Sequence, residues 1–327
     1  MKISTTKILL VGSGIVVFIA GWFLFYGNNK IEIKRGEAVI EGMNFPESDL
    51  SGVKCEKAKV RPLAVMLASD PETRPLSGIS EADFVFEMPV TEGGVTRMMA
   101  VFQCNWPKEI GSIRSSRLDF IPLVQGLGAI YSHWGGEKEA LAELNGGVVD
   151  NIDAMKYDGT IYYRKKEAKP PHNGFTNPEL INKAVASLEY GLSKSLSSYP
   201  HKKSKSLGNI QPPAIYKDEF QVSWEYDSDN NTYRRERGGK DETDKNTSKQ
   251  VEAENVVFMK TTWSPVSKDY IRIKTVGSGE ATFYQNGQEI KGFWKKTTAK
   301  EKLYFYDAEG GELKFTPGTI WVEIFTD

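Results

Sequence analysis

The sequence predicts an α/β N-terminal domain with a mixed sheet and flanking helices, a smaller mostly-β C-terminal domain, and one N-terminal transmembrane helix. Three observations carry this reading. Residues 8–27 hold no charged side chain; short apolar runs alternate with helical spacings between residues 61 and 196; and helical periodicity is almost absent from residue 214 to the end.

The run Ile8 to Gly27 is twenty residues long. At ~1.5 Å rise per residue it reaches ~30 Å, the thickness of a bilayer's hydrocarbon core. Trp22 and Tyr26 suit the interfacial belt at its far end. A cleaved signal peptide would carry an apolar region of about 7–15 residues and then small residues, whereas this run ends Phe-Leu-Phe-Tyr-Gly-Asn-Asn. We therefore expect residues 1–7 to be a short cytoplasmic tail, 8–27 a single span, and 28–60 a polar tether. Lys2 and Lys7 on one side balance Lys30, Lys34 and Arg35 on the other, so charge counting leaves orientation undecided.

In the first domain, residues 61–196, Pro62-Leu-Ala-Val-Met-Leu-Ala68, Asp83-Phe-Val-Phe-Glu87, Val95 to Gln103, Glu109 to Arg114 and Ala129 to His133 read as strands between turn residues. Leu118 to Leu127 and Glu137 to Leu144 have helical spacing. Asn177-Pro178 pairs a capping side chain with proline at the first helical position, and that helix is expected to run to about Ser195. Residues 197–213, rich in Ser, Lys and Pro, read as a linker. Strand-like runs at Gln221 to Tyr226, Asn255 to Lys260, Tyr270 to Val276, Ala281 to Gln285, Gln288 to Trp294, Leu303 to Tyr306 and Thr319 to Phe325 fill the second domain, residues 214–327. Asn286-Gly287 is a two-residue hairpin turn. The polar stretch Gly238 to Lys249 reads as a mobile hairpin tip.

Composition narrows the function. Hydrophobic residues at 39% and charged residues at 26% are those of a folded chain. A net charge of -1 leaves no basic excess to neutralise phosphates, which argues against a general nucleic-acid binder. Cys55 and Cys104, the two cysteines, either pair in an oxidising space or pack as buried thiols. Three histidines without ligand spacing give no zinc site, and no nucleophile elbow, phosphate loop or dinucleotide fingerprint occurs, so neither metal nor cofactor is implied.

The most suggestive chemistry lies in Ile113-Arg-Ser-Ser-Arg-Leu118. There Ser115 or Ser116 would cap a helix and Arg117 would fall in its first turn. A cation at that position opposes the helix dipole unless an anion shares the free backbone N–H groups. Arg114 would add a second guanidinium and Arg97, from a neighbouring strand, a third. The competing reading is surface ion pairing with Glu87, Glu92 or Asp119. Tyr131-Ser-His-Trp-Gly-Gly136 ends another strand, where His133 is a general base, a hydrogen-bond donor to an anion or a packed polar residue, and Gly135 and Gly136 allow close backbone approach. Lys169-Pro-Pro-His-Asn-Gly174 presents His172 and Asn173 on a loop.

Arg61-Pro-Leu-Ala-Val-Met66, Arg74 to Asp83, Glu92-Gly-Gly-Val-Thr-Arg97, Ile110 to Arg117, His133-Trp-Gly-Gly136 and Pro171-His-Asn-Gly174 together resemble the YerB-like family of bacterial envelope proteins, a family of unknown function. Gly292-Phe-Trp-Lys295 and Pro317-Gly-Thr-Ile-Trp321 resemble its second domain. The resemblance implies a body outside the cell membrane. This chain has no cysteine just after its apolar run, unlike lipoprotein members, which favours a spanning helix. A looser likeness to LytR-CpsA-Psr proteins implies arginines that bind a polyprenyl pyrophosphate. The expectation is a single-pass, extracytoplasmic protein that binds an anionic cell-wall precursor, a lipid-linked ligand or a wall-synthesis partner and is not an enzyme. The alternative is a phosphoryl or glycopolymer transferase, with His133 as base and Asp83 holding a divalent cation.

Overall fold

The computed structural model describes residues 31–34, 37–40 and 44–326, apart from 93, 193–197 and 268–269. The expected span at residues 8–27 and its cytoplasmic tail lie outside the described residues, and no helix among those described is long and apolar enough to cross a membrane. Ile31–Lys34 and Glu37–Ile40 form a two-stranded antiparallel hairpin belonging to the first 45 residues.

From Pro46 onward the chain is one compact unit. Its centre is a ten-stranded mixed sheet. In chain order the strands are β1 (Leu63–Ala68), β2 (Phe84–Pro89), β3 (Thr96–Phe102), β4 (Ile130–His133), β5 (Asn151–Asp153), β6 (Asn255–Lys260), β7 (Gly277–Gln285), β8 (Gln288–Lys296), β9 (Tyr304–Asp307) and β10 (Ile320–Phe325). Their spatial order is β9-β8-β7-β6-β10-β2-β3-β1-β4-β5. The last strand of the chain therefore lies in the middle, parallel to β6 on one side and to β2 on the other. The runs β1, β3 and most of β10 are buried on both faces, which is why they read as continuous apolar segments.

Both faces are covered. One carries α1 (Ile121–Leu127) and α2 (Lys138–Asn145), packed against Met66, Phe86, Met99, Tyr131 and Val322. The other carries the long helix α4 (Pro178–Ser187), separated in sequence from α2 by the one-turn α3 (Ala154–Tyr157). It also carries a twisted hairpin, Val222–Asp227 paired with Thr232–Arg237, whose Trp224 and Tyr233 pack with Trp321. Pro122 sits in the first turn of α1, as its missing N–H allows, and Asn177 caps α4 by accepting from the Leu180 N–H at 2.9 Å.

Four expectations are corrected. The tether is shorter than 28–60, because Leu50 and Ala58 are core residues and Cys55 is joined to Cys104, a disulfide closing a separation of 49 residues. The segment after residue 197 does not hang free. Phe315 donates to the Pro200 carbonyl, Lys202 donates to the Phe315 carbonyl, and Leu207 and Ile210 donate to the turn at Asn286 and Gly287. α4 stops at Ser187, where Leu188 caps it, Glu189 turns left-handed (φ 55°) and Tyr190 N–H reaches back to Val185. The Gly238–Lys249 stretch is a docked segment: Asp244 is buried and accepts from Ser80 N–H, Lys245 donates to Leu76 O, and the Asn246 amide donates to Glu109 O.

Behind that segment lies a buried charge network. Glu87 from β2 accepts from Arg235 and Arg237 of the hairpin and from Thr96. Glu242 also receives both arginines, and Glu323 from β10 accepts from Arg235 at 3.0 Å and Trp224 at 3.2 Å. Burial alone would raise Glu87, but the Arg237 and Arg235 charges override it and hold the carboxyl down to about 2. Burial raises Glu323 to about 7; Arg235 opposes the rise and the Glu87 charge adds to it. Two guanidiniums thus face three carboxyls, one of which, Glu323, is pushed towards its protonated form.

These shifts have opposite signs in stability. Glu87, lowered from 4.5, contributes stability that is present above pH 4.5 and lost as the pH falls towards 2. Glu323, raised from 4.5, contributes stability that is present below pH 4.5 and lost as the pH rises through about 7. We predict that the urea midpoint falls between pH 5 and 8 and that Glu323→Gln flattens part of that fall. Glu87→Gln, which leaves buried guanidiniums short of a counter-charge, should cost about 3–5 kcal/mol at pH 7. An unchanged slope in Glu323→Gln would place the proton elsewhere.

Candidate functional site

Strands β1, β2, β4 and β5 run in one direction and β3 in the other, so the C-terminal ends of the first four and the start of β3 share one edge of the sheet. Open α/β sheets characteristically bind ligands at such an edge. Ala68 at the end of β1 faces Arg97 in register. The segment Ser112 to Arg114 continues this edge, with Ala68 N–H on Ser112 O and Arg114 N–H on Met66 O.

Three sequence motifs are tied together there by backbone. Trp134 N–H donates to Arg114 O at 3.0 Å, Ser116 N–H to Gly135 O at 2.9 Å, and Ile113 N–H to Gly174 O at 2.9 Å. Ser115 donates its hydroxyl to Trp134 O. Gly174 lies flat against the Trp134 indole, where an added Cβ would come within 2.3 Å of the ring. Gly135 has φ +62°, a left-handed conformation that suits glycine, and Gly136 bridges Ser116.

Arg114 and His172 converge at this edge on Asp70 just beyond β1, Arg97 feels the charge of Asp70, and Arg117 acts electrostatically on Arg97 and Arg114. Arg97 is 5% exposed, yet its Nε and Nη1 have no hydrogen-bond partner among the described residues. Burial pushes its guanidinium down to about 9, and the Arg114 and Arg117 charges push the same way while Asp70 opposes them. Arg114 Nε stands 3.9 Å from Asp70 Oδ2, as does His172 Nδ1, and all three atoms lack a hydrogen-bond partner. Burial lowers Arg114 and His172, the latter helped by the Arg114 charge. Arg117 lies over the Tyr270 ring at 3.9 Å, with Nη1 3.6 Å from Glu137 and Nε unpartnered.

The remaining expected residues are committed elsewhere. Arg117 is an extended residue preceding a helical turn at Leu118–Phe120, and neither Ser115 nor Ser116 caps it. Glu137 does, accepting from Leu118 N–H at 2.7 Å and also from Arg272. The anion expected at that helix start is therefore the protein's own carboxylate. His133 is fully buried, with Nδ1 on Gly135 O and Nε2 on Asn151, so it has no free nitrogen for base catalysis. Asn173 accepts from Arg164. Asp83 sits at the opposite edge, where its carboxylate accepts from Ser51, Gln103 N–H and Cys104 N–H; burial raises it to about 6 despite those donors. No group of three metal-ligating side chains occurs among the described residues. Glu87 and Asp119, the expected partners of the arginines, instead hold Arg235 and Arg237, and Arg272, respectively. Sequence reasoning missed Asp70, whose only signal was its place after a strand end, between Ser69 and Pro71. Two clefts of about 340 and 190 Å³, beside Tyr216 and beside Trp106, are lined by none of the cluster residues.

This body matches both halves of a known family. Residues 50–191 match the N-terminal domain, and residues 213–322 the C-terminal domain, of the family described as protein of unknown function (DUF3048). The chain belongs to this family. It is 28% identical over 306 residues to "Putative lipoprotein YerB" of Bacillus subtilis (strain 168), covering 91% of each chain. It also superimposes on the crystal structure of YerB protein from Bacillus subtilis with a TM-score of 0.78, covering 86% of this chain and 97% of that one. The YerB-like resemblance drawn from the motifs is therefore correct, and the motifs that carried it include those that meet at the arginine edge.

An unpartnered buried guanidinium is destabilising. Arg97→Met should therefore raise stability, by about 1–3 kcal/mol, as read by urea denaturation. A loss of stability would show that the guanidinium serves the fold.

Proposed function

We propose that this chain is a membrane-tethered, extracytoplasmic protein of the bacterial envelope that binds an anionic group of a cell-wall or lipid-linked ligand through Arg97, Arg114, Arg117 and His172. The observation that carries the proposal is Arg97, a buried arginine with two unpartnered guanidinium nitrogens beside two further arginines. Concentrating like charge costs free energy unless an anion relieves it. The cluster also lies at the sheet edge where α/β folds bind ligands. The tether rests on the twenty-residue apolar run and on the lipoprotein name of the Bacillus relative. A transferase reading finds less support, since the base it needs, His133, spends both ring nitrogens on packing.

Full-length protein in nonionic detergent should bind inorganic pyrophosphate measurably by calorimetry. Arg97→Met and Arg114→Met should each weaken binding at least tenfold, and raising the salt should weaken it further. Affinity that is absent, or equal in wild type and both variants, would contradict the assignment. Location is tested separately by protease treatment of intact protoplasts, in which the body should be digested.

A further inference from the structure

Resting on that reading of the site, we propose that the anion it takes carries a hydrogen-bond donor of its own: a hydrogen phosphate or a phosphate monoester, in preference to sulfate or a phosphodiester. The unpartnered donors are Arg97 Nε and Nη1, Arg114 Nε and Arg117 Nε. They come from three guanidiniums, one on β3 and two on the segment Arg114–Arg117, an arrangement suited to a tetrahedral oxyanion, whose acceptors point in several directions. One unpartnered atom in the cluster has the wrong sign for an anion. Asp70 Oδ2 is an acceptor, and it stands 3.9 Å from both Arg114 Nε and His172 Nδ1, too far for a hydrogen bond to either.

A carboxylate accepts hydrogen bonds and cannot donate them. Beside a bare oxyanion it is repulsive, and it discriminates against any ligand that lacks an O–H to offer it. Beside a protonated phosphate oxygen it gains a charge-assisted hydrogen bond. Sulfate has no such proton, a phosphodiester has lost it to the second ester bond, and a monoester offers it in its singly ionised form, which is about half the population near pH 6. A site that leaves its own polar group unpaired with the wrong ligand rejects that ligand strongly. His172, beside the same carboxylate, is pushed towards the neutral form by burial and by Arg114, so its ring is free to donate to or accept from the ligand.

The test is a calorimetric titration of full-length protein in nonionic detergent at pH 6, where about half of a phosphate monoester keeps its second proton, with inorganic phosphate, sulfate, glucose 1-phosphate and dimethyl phosphate. Phosphate and glucose 1-phosphate should bind at least tenfold more tightly than sulfate or dimethyl phosphate. Asp70→Asn, whose amide can donate, should bring the phosphate-to-sulfate ratio below threefold by gaining sulfate affinity, a gain that also reports a folded variant. Sulfate binding as tightly as phosphate in the wild type overturns the inference while leaving the anion site intact, and so does an unchanged ratio in Asp70→Asn. Binding of none of the four sinks the site itself. Mixed micelles separate the sources of a monoester. Stabilisation by phosphatidic acid beyond that of glucose 1-phosphate assigns a lipid headgroup, equal stabilisation assigns a soluble ester, and stronger stabilisation by phosphatidylglycerol overturns the preference for a monoester.

Discussion

Everything after residue 46 depends on where the last strand goes. β10 enters between β2 and β6 and runs parallel to both, with Ile320 beside Phe84 on one side and Asn255 on the other. Without it β2 and β6 would each bare a buried, apolar edge with unpaired backbone groups. The two family domains thus meet along strand-to-strand hydrogen bonds, and the linker between them is fastened along its length. Such an arrangement makes each half a condition for the stability of the other.

The two faces of the sheet use arginine in opposite ways. On one face Arg235 and Arg237 meet Glu87, Glu242 and Glu323, one carboxylate from each of β2, β10 and the docked segment. That network holds the hairpin layer to the shared strands. On the other side of β3, Arg97 has no carboxylate in contact among the described residues, and Asp70 lies just beyond hydrogen-bond reach of Arg114 and His172. One pair of buried arginines is thus neutralised within the fold, while the buried Arg97 keeps two guanidinium nitrogens without a partner among the described residues. Glu137 sharpens the contrast, because its carboxylate accepts from the Leu118 N–H at the helical turn that follows Arg117.

Much of the sheet was legible because its strands are short apolar runs between turn residues, and the helices at Pro122 and Asn177 announced themselves through proline and capping chemistry. Two of the failures share a cause. Thr232–Arg237 alternates regularly, but the inward positions are Tyr233, Arg235 and Arg237, so a pattern that assigns charge to solvent hides the strand. The docked Gly238–Lys249 stretch was misread for the same reason, since Glu242 and Asp244 point inward. At the site, the arginines were visible from their places at strand ends, and the structure brings Arg97, Arg114 and Arg117 together. His133 was not separable in advance, because a histidine at a strand end reads alike whether its nitrogens face a ligand or, as here, Gly135 and Asn151. The role of β10 was invisible too: an apolar C-terminal run gives no sign of which two strands it will part.

Native-state hydrogen exchange read by mass spectrometry tests the shared-strand account most directly. The amides of Phe84–Pro89, Asn255–Lys260 and Ile320–Phe325 should exchange with one common opening free energy, equal to that of global unfolding and falling together as urea is added. Exchange of Asn255–Lys260 through a separate, lower-energy opening, while Phe84–Pro89 stays protected, would show that the halves are stable apart and contradict the account.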